Sequence, residues 1–309
     1  MKIKEMFKIY SSCKLCPRRC EVNRIKERGF CKEGVILRIA YVGPHFGEEP
    51  PITGKNGSGT VFLTGCSLRC SFCQNWQISH KGMGKRIKVK DAVEKIEDMI
   101  ERYKVHNINF VTPDHFIPHI VLIISKIKQR YDIPVVFNTS GYQSVEILRK
   151  IKDFVDIYLP DFKYSERSLA KKLSLCPDYT EVCLDAIYEM VKQKGFLKTE
   201  DGIAKRGVLV RHLILPGKIK NSIDVLSLLY CEFGKELPIS LMSQYFPAVP
   251  QKDPDLNRFL KKEEFLEVYN HAISLGFENI FIQIPERPDR SFVPDFTKEQ
   301  PFPGNKQRI

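Results

Sequence analysis

Three cysteines, Cys66, Cys70 and Cys73, stand in the run Thr64-Gly65-Cys66-Ser67-Leu68-Arg69-Cys70-Ser71-Phe72-Cys73-Gln74-Asn75, directly behind an apolar strand candidate, Val61-Phe62-Leu63. The C-x3-C-x2-C spacing puts three thiolates on one tight loop, enough for three corners of a four-iron cluster. A cluster whose only task is electron transfer is normally closed by four thiolates. No fourth cysteine follows nearby, so one iron is expected to stay open to another ligand. Structural zinc takes four protein ligands, usually as two separated pairs, and three crowded cysteines fit that poorly.

A second group, Cys13, Cys16, Cys20 and Cys31, is spaced C-x2-C-x3-C-x10-C. Four sulfurs can complete a tetrahedral zinc site or a second, fully ligated iron–sulfur cluster, and the spacing leaves both open. A short Cys-rich segment has little core, so metal would supply much of its folding energy. Seven of the ten cysteines therefore stand in metal-ligand spacing, a usage that belongs to a reducing compartment. Cys176, Cys183 and Cys231 are scattered, and inert thiols among apolar neighbours are expected there.

The elements that position the cysteine loop alternate along the chain. After Val61-Phe62-Leu63, helical spacing of Ala92, Val93, Ile96, Met99, Ile100 and Tyr103 predicts a helix with Asp91 as its cap. Strands are predicted at Ile108–Val111, Val135–Phe137, Asp156–Leu159, from Val208 to Leu215, at Ile239–Met242 and, as a seventh or edge segment, Ile280–Ile282. Helices are predicted over Pro118–Arg130, Val145–Ile151, Glu166–Leu173, Tyr179–Lys194, Ile223–Phe233 and Glu264–Leu275. Strand–helix alternation of this kind argues for parallel pairing. A complete (β/α)8 barrel is typically ~250 residues, and the repeating section is shorter. The expected fold is therefore α/β, a partial (β/α)6 TIM-like barrel with a small N-terminal Cys-rich segment. The cysteine loop then falls at the strand C-termini, where active sites of such folds gather. The expected divisions are 1–55 for the metal-binding segment, 56–285 for the barrel and 286–309 for a C-terminal tail.

At 309 residues, 43% hydrophobic and 28% charged, the composition is that of a soluble protein. No apolar stretch is long enough for a membrane span, and the N-terminus lacks the features of a secretory signal; a cytoplasmic location is expected. The net charge of +12 is dispersed and mixed with glutamate. A solvated basic surface fits better than a nucleic-acid interface, with an acidic protein partner or RNA as the lesser reading.

The cysteine loop, with Phe72 before its last cysteine and a strand ending at Gly65, resembles the signature of the radical S-adenosylmethionine (SAM) superfamily. Asn138-Thr139-Ser140-Gly141-Tyr142, Leu159-Pro160-Asp161-Phe162-Lys163-Tyr164 and Val210-Arg211-His212-Leu213-Ile214-Leu215-Pro216-Gly217 extend the match to relatives of pyruvate formate-lyase activating enzyme. Glu48-Glu49-Pro50-Pro51-Ile52-Thr53-Gly54, Gln74-Asn75 and Met242-Ser243-Gln244-Tyr245 resemble a less characterised branch of that group, and the likeness covers roughly Cys13 to Gln283. The resemblance implies a [4Fe–4S] cluster on Cys66, Cys70 and Cys73, with SAM chelating the open iron through its amino and carboxylate groups. It implies that Asp161 and Lys163 contact the ribose and carboxylate region of SAM. It also places Arg211 on the carboxylate, Asn138 near the ribose in place of the usual Asp, and Gln244 or Tyr245 near the adenine. A Gly-Gly-Glu segment that many relatives use for the SAM amino group is absent; Val111-Thr112-Pro113-Asp114-His115-Phe116 stands in its place. There a backbone carbonyl near Thr112 or Pro113 could accept from the amino group, and His115 is read either as an acid–base group or as a packing residue.

The implied reaction is reductive cleavage of SAM to a 5′-deoxyadenosyl radical that abstracts a hydrogen atom. The implied partners are an electron donor such as flavodoxin or ferredoxin, and a protein substrate on which a glycyl radical forms, admitted through the open side of the barrel. Radical modification of another peptide, a small molecule or RNA is the alternative. A reading from another class is a zinc-binding interaction module without catalysis.

Overall fold

The computed structural model describes residues 3–283 and 293–302. After a short helix α1 (Ile3–Met6), the Cys-rich segment runs irregularly to strand β1 (Arg38–His45). A connection holding helix α2 (Pro50–Thr53) leads to β2 (Ser58–Leu63), and the cysteine loop then runs into α3 (Trp76–Ser79) and a short β3 (Lys85–Arg86). Strand–helix units follow: α4 (Val89–Tyr103), β4 (Ile108–Val111), α5 (Ile117–Ile127), β5 (Val135–Thr139), α6 (Val145–Ile151), β6 (Ile157–Pro160), α7 (Arg167–Ser174) and α8 (Tyr179–Lys194). A hairpin of β7 (Lys198–Glu200) and β8 (Ile203–Val208) precedes β9 (Val210–Leu213), α9 (Ile219–Phe233), β10 (Ile239–Met242), α10 (Lys262–Leu275) and β11 (Ile280–Gln283).

Strands β2, β4, β5 and β6 pair in parallel, as do β9, β10 and β11, and a parallel bridge between Asp161 and Arg211 joins the two groups. The strands are buried on both faces, as parallel sheets require. Val61, Phe110, Val135, Phe137 and Tyr158 pack outward among the helices in the main core. Val136, Ile157, Leu159 and Leu209 face inward and pack in a separate cluster with Ile52 and Ala204. The result is the expected partial barrel.

Ile52 belongs to the connection between β1 and β2, which enters the barrel from the strand N-termini and plugs it. Asn107 Nδ2 donates to the Ile52 carbonyl at 2.8 Å, and Thr53 Oγ1 donates to the Glu48 carbonyl at 2.9 Å. Gly54 closes this plug at φ +51, where a Cβ would meet His106 and Ile203 side-chain atoms at 2.5 Å.

Several expectations need amendment. Asp91 lies in the first turn of α4, and Lys88 occupies the N-cap position. The fifth predicted strand is divided at Leu209 into β8 and β9 and ends at Leu213. Residues 38–45, assigned from sequence to the Cys-rich segment, form β1, which pairs antiparallel with β2 and extends the barrel sheet. Cys176 and Cys183 are buried as expected, whereas Cys231 is exposed. Of the predicted tail, residues 286–292 and 303–309 lie outside the described residues, and 293–302 pack across the barrel mouth.

Candidate active site at the barrel mouth

The cysteine loop is held from several sides. Gly65 adopts φ +76, and a Cβ there would stand 2.6 Å from the Cys31 carbonyl and from Glu33. The Cys66 amide donates to that same carbonyl at 3.3 Å, and the Ser71 amide donates to Leu173 O at 2.8 Å. Arg18 donates to Ser67 O at 3.0 Å and to Ser174 O at 2.8 Å, with its guanidinium 4.1 Å from the Phe30 ring centre. Within the loop, the Leu68 and Arg69 amides point at the Cys66 sulfur (3.3 and 3.5 Å), and Ser79 Oγ donates to the Cys73 sulfur at 3.3 Å. Donors aimed at sulfur favour thiolates and temper their charge. Burial outweighs them in the metal-free protein: it pushes the Cys66 thiol up, and raises Cys73 to about 11 with Cys70 adding to the rise.

Behind the loop lies a buried charge network. Arg211 Nε donates to Asp161 at 3.0 Å, its Nη1 donates to Glu48 at 3.0 Å and its Nη2 donates to Asn138 Oδ1 at 2.5 Å. Lys163 Nζ donates to Asp161 at 2.5 Å. Asn109 and Asn138 each donate from Nδ2 to Glu48 Oε1 at 3.1 Å. Burial opposes the charge on Asp161, but Lys163 and Arg211 outweigh it and hold the carboxyl below its usual range. For Glu48 and Glu49 burial dominates and raises the carboxyls, with Arg211 opposing.

One cavity of about 230 Å³ is lined by Cys66, Cys70 and Cys73, by Asn138, Asp161, Lys163, Arg211 and Gln244, and by Glu48 and Glu49. The three cluster cysteines and the SAM candidates Asn138, Asp161, Lys163, Arg211 and Gln244 thus share a single space. Four buried polar atoms on its walls have no hydrogen-bond partner: His45 Nδ1, Glu49 Oε2, Ser140 Oγ and Gln244 Oε1. Buried polar groups are almost always paired, so four such atoms around one cavity mark the seat of a polar ligand. This chain's residues fit the pair of groups expected, thiols for a cluster and polar atoms for SAM.

Other candidates fall elsewhere. Tyr245 is buried and donates to Leu256 O at 2.8 Å, away from the cavity lining, so of the two candidates Gln244 is the one that lines the cavity. Thr112 reaches the cavity, whereas Asp114 turns back to the loop and accepts from Ser67 Oγ at 3.0 Å. His115 Nε2 lies 2.6 Å from the Thr64 carbonyl, and burial pulls its pKa down to about 3. It is the packing histidine of the two readings, outside the cavity lining.

Residues without an assigned role in the sequence complete the site. Glu48 and Glu49 form the cavity floor; their only sequence signal is a pair of acids directly before Pro50-Pro51. The mouth is covered by residues 293–302. Phe302 packs on His45 and Phe62 with ring centres 4.2 and 5.2 Å away, and Tyr41 Oη donates to Gln300 at 3.0 Å. The Phe296 amide donates to Gln77 at 2.8 Å, just beyond the cysteine loop. The side expected to be open to a bulky substrate is therefore covered over Pro294 and Phe302.

The four N-terminal cysteines lie directly behind the loop. Cys13, Cys16 and Cys31 are buried and Cys20 is half-buried. The Cys20 and Cys31 sulfurs lie 3.2 and 3.6 Å from the position a Gly29 Cβ would take, so a larger residue would crowd the space between them. Arg24, only 1% exposed, places Nη1 4.0 Å from the Cys13 sulfur and packs over Tyr10, with further bonds to the His115 and Gly34 carbonyls. This arginine pins the Cys-rich segment to the barrel.

Known proteins resemble the chain along most of its length. Uncharacterized protein MJ0674 of Methanocaldococcus jannaschii is 32% identical over 297 residues, spanning 91% of this chain and 80% of its own. Uncharacterized protein MJ0808 of the same organism is 26% identical over 290 residues, spanning 87% and 80%. Among solved structures, methylornithine synthase is similar at 13% identity and a TM-score of 0.49, covering 76% of this chain and 74% of that one. The family model described as the radical SAM superfamily matches residues 60–222, from the strand before the cysteine loop to the start of α9, and the chain belongs to that superfamily.

Proposed function

We propose that Cys66, Cys70 and Cys73 hold a [4Fe–4S] cluster and that SAM binds beside it in the shared cavity, for hydrogen abstraction from a substrate deeper in the barrel. The observation that carries this is the single cavity bounded by three thiols and, on the same side, by the unpartnered Ser140 Oγ and Gln244 Oε1. When bound, cluster and SAM supply one-electron cleavage of the sulfonium to methionine and a 5′-deoxyadenosyl radical.

The chain's own residues bind and orient. A lysine has three hydrogens to give and the bond to Asp161 uses one, so Lys163 is well placed for the SAM carboxylate. Arg211 is committed on three sides, and it acts by fixing Asp161, Asn138 and Glu48 as much as by meeting the carboxylate. Asp161 and Asn138 face the ribose; Gln244 Oε1 and Ser140 Oγ accept from hydroxyl or amino groups of the nucleoside. Leu68, Phe72, Phe62 and Phe302 wall the cavity and exclude water. The N-terminal cysteines are the ligands for a second metal, zinc or a cluster; among the described residues no three such side chains converge as a single-ion site, so binding would have to draw their sulfurs together. The reductant is an acidic carrier of flavodoxin or ferredoxin type, complementary to the net charge of +12.

Two targets are weighed. Likeness to activating enzymes at Asp161, Lys163 and Arg211 favours a glycine of a partner protein. The cover formed by Pro294 and Phe302 favours a small substrate or a single side chain, because a peptide loop would have to displace it. The geometry supports the second better.

The test is anaerobic reconstitution with iron and sulfide, followed by reduction with SAM. We expect 5′-deoxyadenosine from the wild type and none from Cys70→Ala, which should keep its N-terminal metal. Zinc alone, with no SAM cleavage, would support the interaction-module reading.

A further inference from the structure

The four unpartnered atoms divide along the cavity. Ser140 and Gln244 follow β5 and β10 at the strand C-termini, on the side of the cysteine loop. His45 and Glu49 come from the end of β1 and from the plug, beside Glu48, with His45 packed against Phe302 of the cover. The reading above gives Ser140 and Gln244 to SAM, and resting on that reading His45 and Glu49 are left for the substrate.

The floor has an excess of acid. Glu48, Glu49 and Asp161 stand against Arg211 and Lys163, leaving one carboxylate in surplus. Arg211 bonds to Asp161 and Glu48, and Lys163 bonds to Asp161. Glu49 is 9% exposed; Ser240 bonds to its carboxyl and Arg211 faces it, but its Oε2 meets no donor among the described residues. A buried carboxylate oxygen left this way is costly unless a ligand completes it. Burial favours the neutral Glu49 acid while the site is empty. A cationic donor offsets the cost of ionising that acid, where a neutral donor does not. The carboxylate so formed accepts and cannot donate, so the group must bring N–H.

We propose that Glu49 is the substrate-recognition residue and that the substrate presents a protonated amine or guanidinium to it. His45 Nδ1, on the same segment, accepts from the same group or a neighbouring one. Phe302 and Phe62, which pack on His45, give an alkyl stem its apolar wall. The substrate class is a small alkylamine or a lysine- or arginine-like side chain.

The experiment uses the iron-reconstituted, SAM-loaded full chain under anaerobic, unreduced conditions, titrated calorimetrically with n-butylamine, n-butanol and butyrate. We expect saturable binding of the amine, at least about tenfold tighter than the alcohol, and no binding of the acid. Glu49→Gln keeps the shape and removes the charge; it should weaken the amine about tenfold. Glu49→Asp should retain part of the preference. Equal binding of amine and alcohol overturns the proposal. So does amine binding undiminished in Glu49→Gln, or a Glu49→Gln protein that has lost SAM. A wild type that takes SAM but no amine overturns this inference alone; one that takes neither overturns the SAM reading with it.

Discussion

Before any ligand arrives, the Arg211 guanidinium already engages Asp161, Glu48 and Asn138. Removing one partner of a buried ion pair is far more costly than the pair is worth, because a desolvated charge is left behind. Arg211→Met should therefore destabilise the protein by ~3–5 kcal/mol, and Arg211→Lys should recover only part, since an ammonium lacks the planar fork. Urea denaturation of the metal-free protein checks this; unchanged midpoints would remove the network from the folding account. At this scale Arg211, Asp161 and Lys163 were legible, because they sit at successive strand ends after the cysteine loop. Glu48 and Glu49 were not assigned a role, because nothing local shows that a connection between two strands turns into a barrel.

That connection is also the lesson at the scale of elements. Ile52 fills the space between Val136, Ile157, Leu159, Ala204 and Leu209. Ile52→Ala should cost ~2–5 kcal/mol through lost burial and the cavity left behind. Thermal unfolding measures it, and a loss below about 1 kcal/mol would mean that the plug collapses freely. The parallel strands and long helices were readable from their apolar periodicity; α8 begins and ends where predicted. Strand β1 escaped because its pattern is mixed, half-buried at alternate positions, and only the two-residue β3 pairs with its outer side. The hairpin of β7 and β8 escaped because β7 is fully exposed and charged. Its Asp201-Gly202 turn, with φ of +50 and +76, is the one local signal for it.

Over the whole molecule, four buried histidines share one behaviour. Burial lowers His45, His119 and His212 to about 4 and His115 to about 3. Each binds a proton in the unfolded chain near pH 6.5 but resists it in the fold. Stability is therefore intact above about pH 6.5 and is lost as pH falls through about 4. His212 donates or accepts at the Phe162 carbonyl (2.6 Å) and Ser222 (2.8 Å), remote from the cysteines. His212→Gln should reduce the pH slope of unfolding free energy between pH 6.5 and 5 by ~1.4 kcal/mol per pH unit. An unaltered slope would sink this account. The fold class was legible at this scale because alternation of strands and helices sets it. The cover over the mouth was not, since Phe296 and Phe302 reveal their ring contacts only in three dimensions.

Strand β2 joins the floor to the cysteine loop: the plug enters just before Ser58, and the loop leaves just after Leu63. Both ends of this connection bend back to one cavity, so Glu48 and Cys66 are neighbours in space although a whole strand lies between them in the chain. A shift of that one strand would carry two opposite walls together, and the chamber would keep its shape while its place in the sheet changed.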